Sequence, residues 1–507
     1  MTAHPTLPAA VRTATLAALA LAAAAACAQA PAGSGLVVPA AFKNAGPGAP
    51  LGREVPEAAV GPSAWWTLFG DPELDRLEVQ ALAENQDLRA SLDRVAEARA
   101  QAGAVRSVLY PSLTAPIAGD RQRTTNTAAP ATSRLIGNSF FATQGSTVPA
   151  TFEGQVLSNT FSDYQVPLVV SYEVDLFGRL RHRLGQARAN ADASLADRLG
   201  VRLALTAQVA ANYFTLRAAD SEVAVLDRSV RLRRDAEELQ QQRLKAGSAS
   251  DVDFLKSRVE RANTEADLVD AVQRRAEIED ALAALCGQPA SGFHLDPRPL
   301  EAAPPPAVPQ TIPAQLLSQR PDLIEAERRI AAADEGVKAA RAEAYPVLRV
   351  GAGYGFESSQ ANQLLENQSH TWSISGGISI PIFDGGRDAA LLKVARAQND
   401  QAYDAYRQTA LGAFREVENA LSGLRQRAVQ ADARRRAAED ARKVFEAAQH
   451  SYGEGGLTYF EVIDAERVLL GAELAQVRTL ASRYAATVDL IRALGGGFGA
   501  PESPAQP

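Results

Sequence analysis

The chain has 507 residues, a formal net charge of −7, and a composition that is 46% hydrophobic but only 6% aromatic. Abundant Ala, Leu, Arg, Glu and Gln, all good helix formers, favour long, thin helical packing over several thick cores. No basic block or aromatic-interleaved basic patch stands out, which argues against nucleic acid as a partner. The five His are scattered, with no HExxH or CxxC spacing, so no metal or other cofactor is expected.

Residues 1–26 read as a secretory signal peptide, with one basic residue (Arg12), no acid, and an apolar run, LAALALAAAAAC, that ends at Cys27. Two processing sites are open. AAAC resembles a lipoprotein box, which makes Cys27 a lipidated N-terminus and 27–60 a lipid-anchored linker, although Ala24 stands where the box usually carries Leu. AQA, Ala28 to Ala30, instead suits ordinary signal peptidase. The other cysteine, Cys286 in ALAALCG, reads as a small buried residue at a helix end, with no disulfide partner. No later run reaches the ~18 consecutive apolar residues of a spanning helix. An exported chain of this kind is expected to be soluble or a β-barrel.

The remainder is duplicated. RVAEARAQAGAVRSVLYPSL (94–113) matches RRIAAADEGVKAARAEAYPVL (328–348), and EVDLFGRLRHRLGQARAN (173–190) matches SIPIFDGGRDAALLKVARAQN (379–399). KAGSASDVDFLKSR (245–258) matches GEGGLTYFEVIDAER (453–467). The pairs Tyr110/Tyr345, Phe177/Phe383 and Gly247/Gly455 are offset by 235, 206 and 208 residues, so the first half carries 29 extra residues before its Phe motif. They fall in a polar, small-residue stretch that reads as a long outer loop. The first repeat is expected over 61–300, a Pro-rich linker over 301–319, the second repeat over 320–495 and a tail over 496–507.

Each repeat predicts helix, strand, loop, strand, very long helix, turn and long helix. The strands fall at about 111–124, 161–176, 347–357 and 370–381. They alternate: Trp372, Ile374, Ile378 and Ile380 share one face, and Thr371, Ser373, Ser375 and Ser379 the other. Such runs suit a transmembrane barrel, but equally a half-buried strand of a soluble sandwich. The helices, expected over 180–286 and 387–494, decide between them. Residues 180–246 and 387–452 contain no Pro and few Gly. At 1.5 Å per residue each run is a rod of about 100 Å, which no compact domain holds. Four strands cannot close a pore, because about eight is the smallest barrel, so the chain must assemble with copies of itself to make one.

The motifs SAWWTLFGDPELDRL (63–77), YPSL (110–113), YEVDLFGRLR (172–181), LCGQP (285–289), RPDLIEAERRI (320–330), AYPVL (344–348) and PIFDGGR (381–387), with the Gly-rich turns near 247 and 455, carry a resemblance. The chain resembles the TolC-type outer-membrane efflux channel family, in its NodT/OprM-like lipoprotein branch, over nearly the whole mature sequence. The resemblance implies an α+β membrane protein of duplicated strand–long-helix repeats. Three copies, each giving four strands, build one 12-stranded outer-membrane β-barrel continued by a periplasmic α-helical barrel. It implies no enzyme but the exit duct of a tripartite efflux system in the outer-membrane lipid of a Gram-negative cell. The partners implied are a periplasmic adaptor (a membrane fusion protein) and an inner-membrane pump of the RND type. Type I protein secretion and a non-conducting periplasmic coiled-coil scaffold are the alternatives. A glycosidase would need an aromatic-lined pocket beside its carboxylate pair, for which the composition offers little.

Glu461, Asp464 and Glu466 follow the glycine turn at 455. Read alone, they are acid/base groups, metal ligands, or a solvated helix start where the dipole favours acids. Glu461 and Asp464 share a helix face. Repeated about a threefold axis, that face becomes an acidic ring that attracts cations and constricts a pore. The resemblance places acids at these two positions on a closed periplasmic tip, where the first repeat offers Asp253 and Lys256. Tyr452 is expected to hydrogen-bond Asp253 across the tip, and Glu466 to remain a solvated residue. Leu457 stands where some relatives carry a base. Gly247, Ser250, Gly455 and Thr458, in the two turns, are the expected adaptor-contact positions. Trp65 and Trp66 are expected to pack the N-terminal segment onto a helical belt.

Overall fold

A computed structural model of the chain describes residues 31, 35–44, 64–123, 160–300, 304–308 and 313–496. The signal segment, Cys27 and almost all of the extra loop lie outside the described residues. Two compact units form: Ala100–Ala187 with Asp334–Ala397, and Met1–Arg99 with Arg188–Ala333 and Gln398–Pro507.

The first unit holds one antiparallel sheet of β1 (Ser112–Thr114), β2 (Ala118–Arg123), β3 (Thr160–Val174), β4 (Val347–Ser358) and β5 (His370–Ser379). The strand expected over 111–124 is split into β1 and β2, which pair with β3 one after the other. The break spans Ala115 to Ile117 and contains Pro116, which has no N–H to give a ladder. The register brings the apolar positions of each strand into line. Leu168, Tyr354 and Trp372 are neighbours across three strands, as are Val170, Ala352 and Ile374, and Val174, Leu348 and Ile378. The opposite face sets Val169 beside Gly353 and Ser373, and Ser171 beside Gly351 and Ser375. One face is bulky and apolar, the other mostly small or polar, as a barrel strand requires. Among the described residues of one chain β5 pairs on one side only, and so do β1 and β2, which leaves two open edges.

The helices are α1 (Pro72–Glu84), α2 (Gln86–Ser107), α3 (Arg179–Lys245), α4 (Asp251–Leu285), α5 (Pro313–Gln319), α6 (Pro321–Ala342), α7 (Arg387–Gly453) and α8 (Tyr459–Ala493). The duplication is metrical: α3 and α7 each have 67 residues, and α4 and α8 each have 35. An aspartate starts each very long helix. The Asp175 carboxylate accepts from the Leu180 and Arg181 N–H groups, and Asp384 from Gly386 and Asp388. Both meet helix-start donors that have no partner in their own helix.

The second unit is built on helix stripes. Along α7 the buried positions Tyr406, Ala410, Ala413, Val417, Leu421 and Leu424 recur at three- and four-residue spacing. They pack with Phe42, Leu316, Leu323, Ile330 and Leu490. A second cluster joins Trp65, Trp66, Leu74 and Leu77 to Tyr213 and Phe214 of α3, Leu282 of α4 and Tyr484 of α8, so both tryptophans pack the N-terminal segment onto the helices. Beside it lies a buried ion cluster. The fully buried Asp220 carboxylate accepts from the Arg217 guanidinium at 2.8 Å, from Arg275 at 2.9 Å and from the Arg298 N–H at 3.0 Å.

Candidate functional site

Two turns in the second unit form the site, one joining α3 to α4 and the other α7 to α8. Each holds a glycine in the left-handed region, Gly247 at φ 72° and Gly455 at φ 80°. A side chain there would be strained. Around them Ser248 N–H donates to the Arg243 carbonyl, and Gly456 N–H to Ser451, both at 2.8 Å, which closes the outgoing helices. The returning helices restart on hydroxyl caps. Ser250 Oγ accepts from the Asp253 N–H at 3.1 Å and donates to the Asp253 carboxylate at 2.8 Å. Thr458 makes a capping box with Glu461, whose carboxylate accepts the Thr458 N–H at 2.7 Å. Asp253 and Glu461 are thus one position in two repeats, and each is engaged at its own helix start.

Tyr452 makes a different bond from the one the sequence suggested. Its hydroxyl accepts from Gln240 Nε2 at 2.8 Å and from the Arg243 guanidinium, which also lies 4.6 Å from the ring centre. Both partners come from α3, while Ser250 already occupies the Asp253 carboxylate. Lys256 likewise turns to an aromatic, with Nζ 5.4 Å from the Phe460 ring centre, rather than to an acid. Asp464 is exposed and makes no hydrogen bond or ion pair among the described residues, although its charge reaches Arg467 one turn on.

Glu466 is not a solvated residue. Its carboxylate accepts from Arg233 Nε at 3.0 Å and from the Ser229 hydroxyl at 3.3 Å. Arg233 also reaches the Glu260 carboxylate at 3.1 Å, the Glu260 carbonyl at 2.9 Å and the Thr264 hydroxyl. Arg467 covers Glu260 from α8. Burial pushes the Glu466 carboxyl up against the pull of Arg233, while hydrogen bonding from Arg467 holds Glu260 down. Tyr459 is pushed up to about 12, first by burial and then by the Glu466 charge. The signal for this cluster was present in the sequence. Arg233 and Gln240 continue the register of Leu226 and Val230, and Glu466 that of Val462 and Leu469, so polar and charged side chains stand at core positions. The ion pairs are duplicated too: Arg234–Glu265 at 3.7 Å and Arg442–Glu473 at 2.6 Å lie 208 residues apart.

Among the described residues no group of three or more His, Cys, Asp or Glu is placed to hold a metal ion, and no helix is long and apolar enough to cross a membrane. The model of the family described as "Outer membrane efflux protein" matches residues 77–288 and 312–496, one segment per repeat. The outer membrane protein OprJ of Pseudomonas aeruginosa is 31% identical over 448 residues, covering 87% of this chain and 88% of that protein. The probable outer membrane lipoprotein SilC of Salmonella typhimurium is 28% identical over 444 residues, covering 86% of this chain and 88% of that protein. The structure of the outer-membrane channel OprN superposes with a TM-score of 0.76 at 28% identity, covering 91% of this chain and 98% of that one. With a family match over both repeats and a shared channel fold, the chain belongs to the outer membrane efflux protein family and is an outer-membrane efflux channel.

Proposed function

We propose that three copies of the chain close a 12-stranded barrel, four staves from each, and that the paired turns form the periplasmic gate of a passive exit duct rather than an enzyme site. The observation that carries this is the pairing of a sheet with two open edges and a twice-built helical turn in one chain. Open edges are a liability that cyclic closure removes. A periplasmic adaptor docks on the turns at Gly247, Ser250, Gly455 and Thr458, and an inner-membrane pump of the RND type loads the duct with small solutes. Asp464 is the acid free to line the gate, with Glu461 contributing charge from its cap, and Asp253, Lys256 and Tyr452 shaping the facing wall.

Asp464→Ala is expected to raise single-channel conductance in planar bilayers and to weaken cation selectivity. Unchanged values on both counts would remove Asp464 from the gate. Lipidation at Cys27 anchors the chain; three acyl groups per assembly exceed the single-chain anchoring that is only marginal. Palmitate labelling is expected in the wild type and lost in Cys27→Ser; labelling that persists would move the attachment elsewhere.

A further inference from the structure

Among the described residues of the second unit, Glu78 is an ionisable side chain buried without a hydrogen-bond partner. Glu78 lies on the core face of α1, with Leu74, Leu77 and Ala81. It is 0% exposed, and neither carboxyl oxygen has a hydrogen-bond partner. One turn earlier, Asp75 Oδ1 is also buried without a partner. The end of α4 forms part of the surface that covers α1 here, beside Tyr213 and Phe214 of α3. Cys286 ends α4 with its backbone N–H, and its fully buried thiol donates to the Leu77 carbonyl at 3.8 Å. Asn85 Nδ2 donates to the Leu285 carbonyl at 3.0 Å. Gly287 comes so close to the Glu84 carbonyl that a Cβ there would lie 2.6 Å from its oxygen. The α1–α4 joint is therefore tightly closed at Leu77, Glu84 and Asn85.

We propose that Glu78 is a proton-operated latch for α1: neutral, it is tolerated in the core and α1 stays docked on α4; ionised, it drives α1 off that joint. The physical basis is the difference between two penalties. A neutral carboxyl without partners costs a lost hydrogen bond or two, whereas an unpaired carboxylate in the same place costs far more. The groups that face Glu78 do not help the ion. Asp75 and, beyond it, the N-cap Asp71 are acids on the same helix, and Cys286 is a thiol. Arg76, on the neighbouring turn, is half exposed and turned to Glu73. Asp71 itself is bonded by the Tyr213 hydroxyl at 2.6 Å and by Arg298, and so has partners that the Glu78 carboxyl lacks. Burial and then the Asp75 charge push the Glu78 carboxyl well above its usual range. The sign follows. Folded protein holds this proton where unfolded chain has lost it, so docking is secure near and below about pH 4.5 and weakens as pH rises through the folded-state value.

Cys286 is a built-in reporter, because its thiol is reached only when α1 lifts. The test is thiol labelling of the intact, detergent-solubilised protein across pH with a maleimide, comparing wild type with Glu78→Gln and Glu78→Leu. Each labelling rate is divided by that of Glu78→Gln at the same pH; the Glu78 charge by itself pushes the thiol up and lowers this ratio, so a climb reports opening. The ratio for wild type is expected to climb steadily with pH, and that for Glu78→Leu to stay flat. A wild-type ratio that does not change with pH overturns the latch, as does a Glu78→Leu ratio that climbs with it. Melting temperatures give the second reading. The gain of Glu78→Leu over wild type is expected to grow with pH, and a gain that is constant or absent overturns the proposal.

Discussion

Arg233→Met is expected to cost about 3–5 kcal/mol of stability, the usual penalty for breaking a buried ion pair from one side. Methionine keeps much of the volume, so little of the loss would come from a cavity. What remains is two carboxylates, Glu260 and Glu466, at 10% and 12% side-chain exposure, deprived of the guanidinium between them. Glu260 retains Arg467, but Glu466 keeps only the Ser229 hydroxyl. The second substitution is therefore informative. In the Arg233→Met background, Glu466→Gln is expected to recover part of the loss, whereas alone it should destabilise. That non-additivity is the mark of a shared network. Denaturant melts of the four proteins check it, and strictly additive losses would mean that the cluster does not act as one.

Asp220→Ala is the second large effect, again about 3–5 kcal/mol. Arg217 and Arg275 both aim at this carboxylate, at 4% and 12% side-chain exposure, and the Arg298 N–H completes it. Removing it leaves the near-buried Arg217 with the Asp296 carbonyl but no carboxylate among the described residues, while Arg275 keeps Glu279 at 2.6 Å. The local consequence is as specific as the global one. Arg298 and Leu300 are tied to α3 partly by the Asp220 carboxylate and the Ser221 hydroxyl, so the segment after α4 loses one of its fastenings. Asp220→Asn keeps an acceptor for that N–H and is expected to lose less. Limited proteolysis near residue 298, combined with melting curves, distinguishes the two variants; equal losses would show that charge compensation plays no part.

The architecture was legible because it is written periodically. Strand alternation, unbroken helical runs and a repeat that places Gly247 opposite Gly455 are patterns of spacing, and spacing survives without knowledge of neighbours. The break at Pro116 was legible in principle too, from the missing N–H. The side-chain partners in the candidate site were harder to read. Tyr452 meets Arg243, more than 200 residues away in sequence, because two antiparallel arms end together. No local rule chooses Arg243 over Asp253. Glu466 looked solvated because it follows two exposed acids near a helix start. Only its register with Val462 and Leu469 marks it as inward, and that register becomes persuasive once Arg233 is seen to share the same fate. Glu78 carries a similar signal, standing on the stripe of Leu74 and Leu77 where an apolar residue would be expected.

The equal arms, 67 and 35 residues in each repeat, act as a gauge. A heptad inserted into α3 between Arg188 and Arg234 would carry Gly247 past Gly455. It would also part Arg243 from Tyr452, whatever the merit of the new sequence. Matching it in α4 restores the first hairpin but not the level of the second. The tip stays whole only when α3, α4, α7 and α8 all lengthen together. Changes of length in this fold are therefore quantised in sets of four, and a single-site insertion or deletion in any one arm is forbidden well before its local helix propensity is tested.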